Sequence, residues 1–587
     1  MRPDLRIEEN SRKLNIASAA VCAVLAVSYF VVLYRYVTDI PLWDDYYDIL
    51  YFFKTYLEAD GFLDKFSTLL WRYTEHRTLP GRLIYLAYYY TFGQLNFFRM
   101  SMAGLVIYLL LAWIVGQLPQ RQQTSTTNAI TPAHIVPFAL LLSMGAWMGS
   151  YSTMNSISMV SFVVLFFAVF LLLKQQTTNT LLLAMVLNVL IVTVGLMGFL
   201  NLLFTTFYAL SSNRPMQQKK IWGVFFLLAS MVFFVTYSDY LQTVEYSRED
   251  TLRVIVNNPG RFTLLGFAFI GGFPFADGDP LWAGAVVGVW WIVASVYLLW
   301  RCWQRDREYF YLLSSALGFM YALMVACCVG RYLYMQESIA YISRYKHYQA
   351  ILLSLILIGY MQLYPCSRVS IGAVILALAA TVSGYIRFLP QIEDLSSTAQ
   401  ERISRWAADG SYDSLGIIGV APYSDQILFW AIDKGLYNPY RESRTILHQH
   451  QPPRTLPRCG MEGQSFVAMD AFVLSEPSSL GARVMLFNRD AQLHISSLYL
   501  CSEQANYQLD AREAVSEMAV QKALLAPGQY RLGFVTTKGE HFALNQTLTV
   551  PRQREKHACT TPDDGGPTVR FSLEVKRAFC DQPVSRE

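Results

Sequence analysis

LNIASAAVCAVLAVSYFVVLY, residues 14–34, carries no charged side chain. A helix of that length, at about 1.5 Å per residue, reaches across the ~30 Å hydrocarbon core of a bilayer. The stretch therefore predicts a membrane-spanning helix. Arg2, Arg6, Arg12 and Lys13 precede it, and no small-residue cleavage site precedes Arg35. A retained span with a cytoplasmic N-terminus is expected, not a cleaved signal peptide.

Outward from this run the pattern repeats. Apolar stretches follow at about 83–98, 100–118, 135–149, 157–173, 181–210, 221–236, 281–300, 309–329, 348–364 and 369–389, which with the first gives about eleven spans. The run 181–210 is long enough for two short helices broken near Gly195 and Gly198. Phe262–Phe275 is short and glycine-rich, so a re-entrant or interfacial segment is expected there. Arg214, Lys219 and Lys220, then Arg301, Arg305 and Arg307, then Arg368 fall in connections that share one side by parity. That side is read as cytoplasmic.

Composition agrees. The chain of 587 residues is 53% hydrophobic and 15% charged, with mean hydropathy +0.29, whereas soluble domains carry roughly a quarter charged residues. A dispersed net charge of +4 excludes nucleic acid as a partner and leaves the lipid bilayer as the medium.

After Leu389 the composition turns polar. Residues 391–460 predict an α/β linker region, with helices at 398–408 and 424–435 and a strand at 415–420. From 461 to 587 short alternating runs (SFVAMDAFVL, ARVMLF, HISSLYL, APGQYRLGFVTT and TVRFSLEVK) predict a small β-sandwich. Cys459, Cys501, Cys559 and Cys580 all fall in this region and fit up to two disulfides in an oxidising compartment. No CxxC or histidine spacing supports the rival, a zinc site. The expected fold is a polytopic α-helical membrane domain, 1–390, followed by a periplasmic soluble region, 391–587.

The chemistry gathers between the first two apolar runs, in PLWDDYYDILYFFKTYLEADGFLDKFSTLLWRYTEHRTLPGR, residues 41–82. Leu50, Phe53 and Leu57, then Phe62, Phe66, Leu69 and Leu70, recur at helical spacing, which predicts amphipathic helices on a membrane surface within a loop at 36–82. Asp44 and Asp45 can supply a general base for an acceptor hydroxyl or hard oxygen ligands for a divalent cation (Mg²⁺ or Mn²⁺), with Asp44 the metal candidate. The plainer reading is an N-cap for a helix starting near Tyr46. His76, Arg77 and Arg82, and in a later loop Arg331, Arg344, Lys346 and His347, suit phosphate oxygens. They equally suit snorkelling to lipid headgroups. A cationic pocket beside a base is what transfer from a lipid-linked sugar phosphate needs, because the leaving phosphate gains charge in the transition state.

WDDYYD at 43–48, TEHRTLPGRL at 74–83 and Ser343-Arg344-Tyr345 before a late span resemble the GT-C superfamily of polytopic glycosyltransferases. The resemblance covers roughly residues 14–390. It implies an inverting displacement at a sugar's anomeric carbon on the periplasmic face of a bacterial inner membrane. The donor would be a polyprenyl-phosphate-linked sugar and the acceptor a glycan or a protein. Asp44 or Asp45 would be the base or metal ligand, the arginines would hold the phosphate, and Glu75 and Asn155 would support the acceptor side. Many superfamily members carry a second acidic residue in a later loop. The corresponding stretch here, GSYSTMNSIS at 149–158, offers Asn155 and no carboxylate, which weakens the case for a tightly bound metal.

Rival functions are a lipid-linked-glycan polymerase and a flippase or transporter. Transport predicts charges deep within spans, and the long runs hold almost none. A receptor would need a cytoplasmic domain, for which no segment is long enough.

Overall fold

The computed structural model describes residues 3–71, 77–120, 130–243, 248–276, 278–335, 339–364, 367–409, 415 and 424–437, with nine strands between 454 and 550. The chain divides into two compact units. One contains residues 1–37, 55–90 and 99–394, and the other 38–54, 91–98 and 395–587.

In chain order the helices are α1 (Pro3–Tyr36), a π-helical turn (Tyr46–Tyr51), α2 (Phe52–Glu58), α3 (Phe62–Leu70), α4 (Leu79–Phe92), α5 (Phe97–Gln117), α6 (Pro132–Leu141) and α7 (Trp147–Tyr151). A second π-helical turn (Met154–Met159) leads into α8 (Val160–Lys174), α9 (Thr178–Val192), α10 (Leu196–Ser211), α11 (Met216–Thr243), α12 (Arg248–Asn257) and α13 (Pro259–Gly271). Then come α14 (Leu281–Arg305), α15 (Arg307–Met335), α16 (Lys346–Leu363), α17 (Ser367–Asp409) and α18 (Ser424–Asp433).

Among the described residues seven helices are long and apolar enough to cross a membrane, or eight if α6 and Met144–Tyr151 form one bent span. The protein is a multi-pass membrane protein. Exposed Val24, Val27 and Val31 on α1, Leu227, Leu228 and Met231 on α11, and Ile371, Ile375 and Ile386 on α17 make the apolar surface that lipid covers.

The count is lower than eleven for identifiable reasons. α4 is 14 residues long, and α9 and α10 are 15 and 16, all short of the ~20 that a span needs. The last two arise from the run 181–210 and break at Gly195, whose φ of 128° suits glycine. α16 has 18 residues, but its first turn is polar. The bend after α6 falls at Ser143, which leaves helical geometry and caps the next turn by accepting from Gly145 N–H at 3.2 Å. α13 packs along α14 and at 13 residues is too short to span.

α17 also departs from expectation. It continues unbroken through Pro390, where a composition change marked a boundary. Proline removes one helical hydrogen bond, and the turns on either side are long enough to carry the helix past it.

In the second unit, Asp39 ties the segments together. Its carboxylate accepts from Phe97 N–H at 2.6 Å and Asn96 Nδ2 at 2.8 Å, while its carbonyl accepts from Tyr437 Oη at 2.5 Å. Leu95 N–H donates to Leu436 O at 2.7 Å, and the Phe97 and Tyr437 rings meet edge-on at 5.2 Å. α18 ends at Gly435, φ 65°, and packs against the first π-helical turn. The strands are β1 (Arg454–Leu456), β2 (Val467–Ala468), β3 (Phe472–Ser475), β4 (Arg483–Asn488), β5 (Ile495–Cys501), β6 (Asn506–Val515), β7 (Glu517–Gln521), β8 (Gly528–Thr536) and β9 (His541–Val550). They form a six-stranded sheet of order β1-β6-β5-β8-β9-β2 and a three-stranded sheet β3-β4-β7. Every pairing is antiparallel except β2 with β9. Cys501 is disulfide-bonded. Cys459, Cys559 and Cys580, the run 568–576 and the expected strand 415–420 lie outside the described residues apart from Leu415.

Candidate functional site

The acidic pair sits on a strained turn. Asp45 N–H donates to Leu42 O at 3.0 Å, and Leu42 N–H donates back to Asp45 Oδ2 at 3.0 Å. The turn between them passes through Trp43 at φ 50°, a region that bulky side chains avoid and that costs on the order of 1–3 kcal/mol. The pair divides its work. Asp45 is 1% exposed and closes the turn, whereas Asp44 is half-buried and reaches solvent. Asp45 occupies the N-cap position without a side-chain cap, and the Asp44 carbonyl accepts from Tyr47 and Asp48 N–H.

The next turn, Tyr46–Tyr51, is π-helical and buried throughout, including Asp48. Leu50 and Phe53 are therefore core residues, and the surface amphipathic helix expected here belongs to the interior. α3 keeps the expected character, with Phe62, Leu63 and Phe66 exposed. The Lys54 ammonium lies 5.5 Å over the Trp430 ring of α18.

Glu75 and His76 lie outside the described residues. Arg77 donates through Nη2 to Thr236 O at 3.0 Å, and its N–H donates to Val194 O at 3.1 Å. Gly81-Arg82 has an architectural explanation. A Cβ on Gly81 would fall 2.9 Å from the Ser158 Cα, so only glycine lets α4 press on the second π-helical turn; Tyr85 and Ser158 then share a 2.8 Å hydrogen bond. Arg82 is wholly buried. Its Nη1 donates to Thr68, Leu69 and Trp71 carbonyls at 3.1, 3.1 and 2.5 Å, closing the C-terminal end of α3.

The stretch 150–158 is serine-rich for the same reason. Ser101 of α5 pairs with Thr153 at 3.0 Å, and the small side chains let helices approach. Asn155 is buried on that turn.

Around the late arginine the residues again separate. Ser343 Oγ accepts from Met148 N–H at 3.0 Å and donates to Gly145 O at 2.8 Å, stapling the bent segment. Arg344 is half-buried, 5.1 Å over the Tyr345 ring, and Arg331 is half-buried on α15. Lys346 is wholly buried. Its ammonium donates to the carbonyls of Phe273 (3.4 Å) and Phe275 and lies 4.1 Å over the Phe388 ring. His347 is buried against Tyr348, with ring centroids 4.0 Å apart. Asp279 pairs with Arg387 at 2.6 Å. Partial burial works to raise the Asp279 carboxyl, but the Ala276 N–H, Arg387 and Lys346 together outweigh it and hold the group below its usual range.

Among the described residues no group of three or more His, Cys, Asp or Glu side chains could hold a metal ion. Asp39 and Asp279 are residues the sequence left unmarked, although both lie beside turn residues; Trp43 stood in the WDDYYD motif without any sign of its positive φ. The chain matches no model of a known protein family, and no characterised protein matches its sequence.

Proposed function

We propose that this chain is a membrane glycosyltransferase of GT-C type. It would move one sugar from a polyprenyl phosphate, undecaprenyl phosphate in a bacterial inner membrane, to a glycan, lipid-linked or protein acceptor on the periplasmic face. The motif resemblance gives the reaction class. The observation that carries the reading is the backbone around Asp44: a positive φ at Trp43 on one side and a π-helical turn on the other. Both are uncommon states that concentrate at functional sites, and between them lies the member of the pair that reaches solvent.

In this mechanism Asp44 takes the proton from the acceptor hydroxyl as its oxygen forms the new bond to the anomeric carbon. The bond from that carbon to the phosphate oxygen breaks with inversion, and polyprenyl phosphate leaves with the electron pair. The phosphate gains charge as it leaves, and Arg344 and Arg331 are the cations to be tested for offsetting it. Asp45 holds the turn.

Purified protein supplied with a panel of short-chain polyprenyl-phosphate sugars should release free polyprenyl phosphate from one of them, and an arm with EDTA reads metal dependence. Asp44→Asn should lower turnover by about 10²–10⁴, and Arg344→Ala should abolish release. Full activity in Asp44→Asn would remove Asp44 as the base. No turnover of any donor would bring the polymerase reading forward.

A further inference from the structure

The helix bundle buries a run of polar side chains that the transfer reaction does not use. Tyr29 of α1 shares a hydrogen bond with Ser150. Ser150 also neighbours the hydroxyl of Tyr108 on α5, yet that hydroxyl is wholly buried and makes no hydrogen bond of ordinary geometry within the protein. His347 at the start of α16 is 3% exposed, and neither ring nitrogen is hydrogen-bonded. The Arg344 carbonyl approaches the ring without completing an aligned bond.

These two orphaned groups meet at Gly149. A Cβ there would sit 2.3 Å from the Tyr108 oxygen and 3.8 Å from His347 Nδ1. The two polar atoms thus lie no more than about 6 Å apart, within the reach of one water making two ordinary hydrogen bonds. Leaving two buried polar groups unsatisfied is costlier than ordering one water. A site lined by a hydroxyl, an imidazole and Ser150 offers the two to four partners that an internal water needs.

We propose that Tyr108, Ser150 and His347 enclose an internal water site. Tyr29, Ser150, the water, Tyr108 and His347 then form one hydrogen-bonded network from α1 to the start of α16, with the water joining the last three side chains. His347 serves this interior chain and not a substrate phosphate. The inference does not depend on the glycosyltransferase reading.

Hydroxyl-radical footprinting by X-ray radiolysis of the full chain in lipid nanodiscs, read by mass spectrometry, tests it. An ordered internal water is radiolysed in place and oxidises its neighbours, while dry buried side chains stay unmodified. Tyr108 and His347 should be oxidised several-fold faster than Tyr85, which is equally buried but hydrogen-bonded to Ser158. Tyr108→Phe should bring His347 oxidation down to the Tyr85 rate, with the melting transition confirming a folded protein. Should that variant fail to fold, Ser150→Ala carries the same comparison. Oxidation of Tyr108 and His347 at the Tyr85 rate would overturn the proposal. So would all three rising together, since that reports opening of the bundle and not a resident water.

Discussion

The acidic turn at 42–45 and the cationic stretch at 343–349 look alike in sequence, each a short polar patch beside an apolar run. Inside the protein each splits in the same manner. Asp45 and Lys346 are buried and engage backbone, Leu42 N–H in one case and the Phe273 and Phe275 carbonyls in the other. Asp44 and Arg344 stay half-buried with access to solvent. The difference lies in how each patch is held. The acidic turn relies on a strained residue, Trp43, whereas the cationic stretch relies on side-chain staples from Ser343 and Lys346. Adjacent charges in a motif can thus differ in burial, one held on backbone and the other reaching solvent.

The largest test of that division is Lys346→Met. It removes the donor from buried carbonyls, and hydrogen bonds to a charged group contribute about 1.5–3 kcal/mol each. A fall of about 3 kcal/mol in unfolding free energy is expected, read as a lowered melting temperature in detergent, while Arg344→Ala should lower it less. Equal losses in the two would break the comparison.

Arg82→Met should come next, costing about 2–3 kcal/mol because three carbonyls lose one buried cation. Hydrogen exchange should rise first at the C-terminal end of α3, which would separate helix capping from a substrate role. A smaller loss, about 1–3 kcal/mol, is expected for Asp45→Ala, which leaves the Leu42 N–H without its acceptor. Asp44→Ala should cost less than Asp45→Ala, because Asp44 is only half-buried. If Asp44 proved the more destabilising of the two, the roles within the pair would be reversed.

The smallest effect concerns Asp279 and Arg387. A carboxyl held below its usual range stabilises the folded state above the unfolded value of about 3.9, and that contribution disappears as pH falls through the folded value. The pair is partly exposed, so screening keeps it under about 1 kcal/mol. Wild type and Asp279→Asn should differ slightly in melting temperature near neutrality and converge below about pH 4. A difference that grows on acidification would contradict the sign.

Much of the helical architecture was legible in local pattern. The break at Gly195 and the brevity of α13 followed from glycine placement and run length. Among the described residues the eleven spans are not reproduced, because α9 and α10 are apolar but short and α4 is short and carries Arg82. Of the strands, β3, β4, β5 and β8 fall on runs that alternation marked. β6, NYQLDAREAV, and β9, HFALNQTLTV, mix their apolar residues with Gln, Asp, Arg and Asn, a one-sided pattern that resembles loop composition.

By itself the sequence determined that this chain lives in a membrane, because uncharged runs of span length have no other stable solvent. It also located the polar residues worth testing. Tertiary structure alone decided what each of them does. Burial and backbone partners depend on which distant segments arrive beside a side chain: Ser158 beside Gly81, the α3 carbonyls beside Arg82, and the Phe273 and Phe275 carbonyls beside Lys346. No periodicity within a single segment encodes those arrivals.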